Sequence, residues 1–167
     1  MMNYEIGTSV VYPSHGVARI LRREEVVVDG EHVTYLILSV RVAGDDRLGE
    51  LKVSVPEDRA LGLGVRSPVS EEEAADVLEV LAATDVRVPS NWSRRFKNHQ
   101  EKLKSGDVYQ CAEVVRNLAT RQKSAALSAA ERTMYTRARH SLVSELALSW
   151  QVGVCEAEER VDRTLGL

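Results

Sequence analysis

The chain has 167 residues, 44% of them hydrophobic and 28% charged, which is typical of a folded globular protein and excludes a disordered one. Its formal net charge is −3, which by itself argues against a nucleic-acid partner. The two cysteines, Cys111 and Cys155, lack a metal-type spacing, and no apolar run is long enough to cross a membrane. Without a recognisable signal peptide, we expect one or two small domains in a reducing cytoplasm, with no membrane association.

Short β-strands are predicted over the first 60 residues, which are rich in Val, Ile, Leu and Tyr and interrupted by turn signals. The Asp29-Gly30 pair lies between two apolar runs and predicts a tight hairpin. The predicted strands cover residues 9–12, 17–21, 24–28, 34–40 and 51–55. Five short strands with tight turns indicate a small, strongly bent antiparallel barrel.

Helices are predicted after a connector at residues 61–69, which contains two glycines and Pro68. Ser70 with Glu73, and Ser128 with Glu131, have the spacing of capping boxes, in which a hydroxyl and a carboxylate satisfy the first free N–H groups of a helix. Further helices are expected to begin near Asn91, Asp107 and Glu156. The predicted fold class is therefore α+β with two domains, a β-barrel at residues 1–60 and an all-α bundle at residues 70–167.

The charge is distributed unevenly along the chain. Residues 90–140 contain 11 Lys and Arg against 4 Asp and Glu, a net charge of +7, whereas the segments on either side are acidic. Such asymmetry indicates an anionic partner for this block.

The basic block begins with the segment SNWSRRFKNHQEKLK at residues 90–104. On a helix, Phe96 and Leu103 would share an inward face, while Arg94 and Lys97 would lie on another. Trp92 would stand in the first turn, where an indole can project past the helix end. Basic residues can track phosphates and an aromatic ring can wedge between base steps, so the pattern favours a nucleic-acid site. It is equally compatible with a tryptophan that anchors a core and with an ordinary solvated basic face.

Enzyme signatures are absent from the sequence. It contains no phosphate-binding loop, no nucleophile elbow and no zinc-protease motif, and its four histidines are scattered. We therefore expect no catalytic site, no cofactor and no metal.

Two segments in this order carry a resemblance to a known family: GTSVVYPSHG at residues 7–16 and NWSRR at residues 91–95. With further matches between about residues 4 and 148, the chain resembles the bacterial CarD/CdnL family of RNA polymerase-binding transcription regulators. The resemblance implies a Tudor-like first domain that docks on the polymerase β subunit. It also implies a helical domain that lies against promoter DNA at the upstream edge of the melted bubble.

Carried over residue by residue, the resemblance assigns Trp92 as a wedge in the minor groove at the bubble edge. The neighbouring DNA-binding residues would be Arg94, Arg95, Lys97 and Arg132. Polymerase contact would come from an edge strand, by strand addition, through Lys52, Val53, Ser54, Val55 and Pro56. The protein is then expected to act as a monomer in the complex, in the cytoplasm at the nucleoid, and to stabilise the open promoter without reading bases.

The chain departs from several relatives at two positions of the implied polymerase-binding surface. Those relatives carry basic residues where this chain has Ser54 and Val26. Two alternative functions stay open beside the favoured one: an adaptor whose basic helices bind an acidic protein, and a divergent paralogue with weakened polymerase binding.

Overall fold

The computed structural model describes residues 3–13, 15–41 and 50–167, and it divides the chain into two compact units, Met1–Pro68 and Val69–Leu167. Each unit encloses its own apolar core. The first unit is a curled antiparallel sheet and the second is helical, so the predicted α+β class with a β module followed by a helical module is confirmed.

The sheet has four strands within the described ranges: β1 Ser9–Tyr12, β2 Gly16–Val28, β3 Glu31–Arg41 and β4 Glu50–Pro56. They pair antiparallel in chain order, so β4 lies at one edge. Asp29 and Gly30 both have positive φ, as the predicted tight hairpin requires. Ile20, Leu36 and Leu38 are fully buried at the centre of the core.

Strand β2 corrects one prediction from sequence, because the strands expected at residues 17–21 and 24–28 form a single continuous strand. The pairing register with β3 shifts between Ile20 and Arg22, so Leu21 is the extra residue of a β-bulge. The bulge bends the strand without ending it. Arg23, beyond the bulge, lies opposite the buried Leu36 and donates hydrogen bonds to Glu57 and to the carbonyl of Tyr4.

A short helix that the sequence did not predict, α1 at Glu57–Ala60, follows β4. The chain after it stays within the first unit, since Val65 is buried in its core and Arg66 pairs with Val11 through two backbone hydrogen bonds. Gly64 adopts φ +87°, and a Cβ atom there would lie 2.7 Å from Cγ of Pro13. The functional segments proposed from sequence, at residues 1–60, 61–69 and 70–167, remain a prediction.

The second unit contains five helices, all in the described part of the chain: α2 Glu71–Ala82, α3 Trp92–Lys104, α4 Val108–Ser124, α5 Ala129–Trp150 and α6 Val154–Leu165. Both predicted capping boxes are formed, at Ser70 with Glu73 and at Ser128 with Glu131. Helices α2, α4, α5 and α6 supply the apolar core, with Val77, Leu118, Leu142 and Leu146 among its fully buried residues.

Helix α3 differs from the others in what it buries. Among its described residues, those that are buried are the polar Arg95 and His99, while Phe96 and Leu103 are partly buried against the core. Phe96 and Leu103 therefore face the bundle as predicted, but polar groups complete the attachment.

Candidate nucleic-acid interface

Trp92 is the first residue of α3, and its position is set by the cap before it. The side chain of Asn91 accepts a hydrogen bond from the backbone N–H of Arg94 at 3.1 Å, which fixes the start of the helix. The indole stacks on the ring of Phe96, with centroids 5.0 Å apart and planes within 10° of parallel. Trp92 is nevertheless 44% exposed, so part of a large aromatic ring faces solvent at a helix end.

The polar edge of this indole is bound to α5. Nε1 of Trp92 donates to Oε1 of Glu131 at 3.0 Å and to Oγ of Ser128 at 3.3 Å. Both acceptors belong to the capping box that begins α5. The apolar part of the ring is thus presented to solvent while its N–H group is occupied within the protein.

Glu131 is the centre of this arrangement and is only 2% exposed. Its carboxylate accepts hydrogen bonds from Trp92, from Nε of Arg95 at 3.3 Å and from the backbone N–H of Ser128 at 3.4 Å. Nε of Arg121 lies 3.9 Å away. Burial alone would raise the pKa of Glu131, but the hydrogen bonds from Arg95 and Ser128 and the charge of Arg95 outweigh it and lower the pKa. The buried carboxylate therefore stays ionised at neutral pH.

Arg95 belongs to the predicted DNA-binding set, which implies a position at the surface. Its side chain is instead enclosed within the protein. It is 2% exposed, and its guanidinium donates to Glu131 and to the carbonyls of Pro89 and Ser90 at 3.4 and 3.1 Å. A guanidinium enclosed in this way holds the segment before α3 in place. It supports Trp92 from within the protein and is not presented to a ligand.

The other predicted DNA-binding residues, Arg94, Lys97 and Arg132, are exposed. Arg94 and Lys97 follow Trp92 on α3, and Arg132 directly follows Glu131 on α5. One guanidinium nitrogen of Arg132 donates to the carbonyl of Leu127 at 3.0 Å, which leaves the rest of the group at the surface. The structure therefore connects Trp92 with the start of α5, where Arg132 lies, through the Trp92–Glu131 hydrogen bond.

Several cationic side chains of the basic block form ion pairs or hydrogen bonds within the helical unit, which the sequence did not indicate. Lys102 pairs with Glu113 at 2.6 Å, and Arg139 pairs with Asp162 and Glu158 at 2.7 and 3.3 Å. Arg116 is buried and donates to the carbonyl of Val80. The net charge of this block already includes Glu113, but Glu158 and Asp162 lie outside the block. Because Arg139 is paired with these two residues and Arg116 is buried, the net charge overstates the positive charge that a ligand would meet.

The predicted polymerase-binding residues lie on the edge strand β4 and its end. Within the described residues β4 pairs with β3 alone, so its other side offers free backbone groups for strand addition. Lys52 and Ser54 are exposed, whereas Val55 is buried in the core of the first unit and Val53 packs against that core. Val55 therefore anchors the strand, and Pro56 ends it.

The described residues contain no cluster of three or more His, Cys, Asp or Glu side chains able to hold a metal ion. No described helix combines the length and the apolar character needed to cross a bilayer.

Comparison with known proteins agrees with the architecture. The family model "CarD-like/TRCF RID domain" matches residues 4–61, and "CarD, C-terminal domain" matches residues 76–162, just over half of the chain. A Bacillus subtilis (strain 168) protein named "Putative transcription factor YdeB" is 28% identical over 145 residues, which cover 86% of this chain and 90% of that protein.

A two-unit protein with a β module and a helical module that match these two models belongs to the CarD family, a family of transcription regulators. The resemblance inferred from the VVYPSHG and NWSRR segments is thereby confirmed. The matches leave the roles of individual residues open.

Proposed function

We propose that this protein regulates transcription by binding RNA polymerase through its first unit and stabilising the open promoter through its second. In this proposal, β4 docks on the β subunit and Trp92 wedges into the minor groove at the upstream edge of the bubble. Residues 1–60 form the polymerase-interacting part, 61–69 the connector and 70–167 the DNA-binding part.

One observation carries the DNA-binding half of the proposal: the half-exposed indole of Trp92, rigidly held at the head of a helix. A wedge must keep its shape when it enters between base steps, because unstacking costs a few kcal/mol per step. Stacking on Phe96 and hydrogen bonding to α5 supply that rigidity. Exposed Arg94, Lys97 and Arg132 offer positive charge for the adjoining phosphates.

The polymerase half of the proposal rests on the free edge of β4 together with family membership. Strand addition uses backbone groups for affinity and exposed side chains for selectivity. Lys52 and Ser54 are the exposed members of the predicted polymerase-binding set on this strand, next to the exposed Glu50 and Leu51.

The mechanism follows from differential affinity. A wedge fits only where the duplex is already unstacked, so the protein would bind the open complex more tightly than the closed one and shift the equilibrium toward it. Phosphate contacts position a protein without specifying sequence, so no base reading is expected.

Substitution of Trp92 tests the proposal. Trp92→Ala should shorten the lifetime of open promoter complexes formed by polymerase from the source organism, while pull-down of the β subunit stays unchanged. Trp150→Phe is the matched control, because Trp150 packs against the helical core and under the guanidinium of Arg160. Equal lifetimes with wild type and Trp92→Ala would refute the wedge.

A second candidate is the adaptor, in which the basic surface binds an acidic protein. Exposed Arg94, Lys97 and Arg132 offer positive charge to carboxylates as well as to phosphates. The pairing of Lys102 and Arg139 and the burial of Arg116 lower the charge available to either partner. Promoter DNA binding by the full chain, measured against salt, separates the two. A DNA-binding protein loses affinity steeply as salt rises, whereas an adaptor shows little binding at any salt concentration.

A further inference from the structure

We propose that Glu131 is the positioning residue for Trp92: its buried carboxylate binds the indole N–H and fixes which part of the ring faces DNA. The inference rests on the proposed wedge function. It assigns a role to a residue that the sequence indicated only as part of a helix cap.

Several hydrogen-bond donors converge on the one carboxylate of Glu131. The carboxylate of Glu131 accepts hydrogen bonds from Trp92, Arg95 and the backbone N–H of Ser128. Its two oxygens therefore join the start of α3 to the start of α5. A helix cap alone would need the Ser128 contact only. The additional donors come from residues 36 and 39 positions earlier in the chain, and both belong to the NWSRR segment.

Glu131 and its partner Arg95 are both buried. A carboxylate that is 2% exposed is costly to remove from water, and the cost is offset only when its partners are fixed around it. Because Arg95 is equally buried, the pair cannot rearrange without exposing a charge to an apolar environment. Trp92 is thereby attached to one of the least adaptable parts of the helical unit.

The contacts of the indole determine which part of the ring remains available to DNA. Its N–H group is the only polar group of the side chain and is directed at Glu131 and Ser128. The ring can then meet DNA only through its apolar surface. A minor-groove acceptor on A or T would have no donor from Trp92, so the wedge would act independently of base identity.

The first experiment is performed on the free, full-length protein. The two tryptophans give two indole N–H signals by NMR, and Trp150→Phe assigns them. Glu131→Gln should accelerate exchange of the Trp92 indole proton by about tenfold or more relative to that of Trp150, because the charged acceptor is lost. Glu113→Gln, which breaks the Lys102–Glu113 pair elsewhere in the unit, should leave the ratio unchanged. An unchanged ratio in Glu131→Gln would overturn the proposal.

The second experiment is a double-mutant cycle on open-complex lifetime. Glu131→Gln should shorten the lifetime about tenfold when Trp92 is present and have no further effect in a Trp92→Ala background, because coupled residues are not additive. An equal effect in both backgrounds would indicate a purely structural role and overturn the positioning assignment. If Trp92→Ala itself has no effect, the wedge function fails, and the exchange measurement still decides whether Glu131 fixes the indole.

Trp92→Phe is a second variant that keeps the Glu131–Arg95 pair intact, in case Glu131→Gln does not fold. Phenylalanine retains an aromatic ring next to Phe96 but has no N–H to donate. The positioning role predicts an open-complex lifetime at least about fivefold shorter than wild type, reflecting the lost hydrogen bond to a charged group. A wild-type lifetime for Trp92→Phe, with Trp92→Ala impaired, would overturn it.

Discussion

At the scale of single residues, Arg95 and Arg94 are adjacent and chemically identical but have opposite environments. Arg95 is enclosed and paired with Glu131, whereas Arg94 faces solvent. Removing one partner of a buried pair leaves the other charge uncompensated, while removing an exposed charge costs little. Substitution of the two arginines therefore separates an effect on stability from an effect on the proposed DNA contact.

We predict that Arg95→Ala lowers the free energy of unfolding of the helical unit by about 3 kcal/mol, because Glu131 is left buried without its main cation. Arg94→Ala should change it by no more than about 0.5 kcal/mol and should instead weaken DNA binding. Urea unfolding followed by circular dichroism, alongside a DNA titration, measures both effects. Equal destabilisation by the two variants would contradict this assignment.

At the scale of elements, α2 and α5 both begin with a capping box, but only one of the two caps makes an additional contact. Ser70 and Ser128 each accept the backbone N–H of a glutamate three residues on, in both cases at 3.2 Å. Ser128 also accepts the indole N–H of Trp92. The two helix starts therefore form a matched pair of caps, one of which has the additional contact.

Ser70→Ala and Ser128→Ala should each reduce stability by about 1 kcal/mol, the usual cost of a lost N-cap. Only Ser128→Ala should loosen Trp92. Acrylamide quenching of Trp92 fluorescence, in a Trp150→Phe background, is expected to increase for Ser128→Ala and to stay unchanged for Ser70→Ala. Increased quenching in both variants would mean that the indole responds to general destabilisation and not to its own contact.

The edge strand β4 yields a prediction about polymerase affinity. Ser54 is exposed on β4, and the family resemblance described above leads us to expect a basic residue at this position. Ser54→Arg should strengthen pull-down of the β subunit about fivefold through charge-assisted hydrogen bonds, and Ser54→Lys should do so less because lysine lacks the planar fork. Ser54→Ala is the control. No gain in either basic variant would argue against docking through this strand.

At the scale of the whole molecule, acid sensitivity should be concentrated in the helical unit. His99 on α3 is 2% exposed, and burial, with the charges of Lys102 and Arg95, lowers its pKa to about 4. The unfolded chain, with an ordinary histidine pKa near 6.5, binds a proton in the interval where the folded protein does not. Stability attributable to His99 is therefore complete above about pH 6.5 and is lost as the pH falls toward 4.

The expected loss over this interval is roughly 3 kcal/mol, and His99→Gln should remove most of the slope. Glu131 acts in a lower range: its pKa is depressed, so its contribution is present above the unfolded value of 4.5 and is lost as the pH falls through the folded one. Chemical unfolding at a series of pH values from 8 to 4 measures the slope. A flat wild-type profile between 6.5 and 4 would contradict the burial of a neutral His99.

The sequence predicted helix starts well because caps are local: Ser70, Asn91, Asp107 and Ser128 precede α2, α3, α4 and α5 as expected. It could not predict the burial of Arg95, since a basic segment looks the same whether a carboxylate distant in sequence encloses one of its members or not. The capping glutamate was visible, but its bond to Trp92 depends on packing between α3 and α5.

The bulge at Leu21 has a consequence for chain length. Side chains alternate between the two faces of a strand, so deleting a residue from β2 ordinarily turns every later side chain to the opposite face. Leu21 is the extra residue between Ile20 and Arg22, so its loss would convert the bulge into regular pairing and keep Arg23 opposite Leu36. Deletion of a residue before the bulge, at residues 16–20, would instead move Arg23 away from Glu57. Natural length variation in this strand is therefore expected at residue 21, with reduced sheet curvature as its cost.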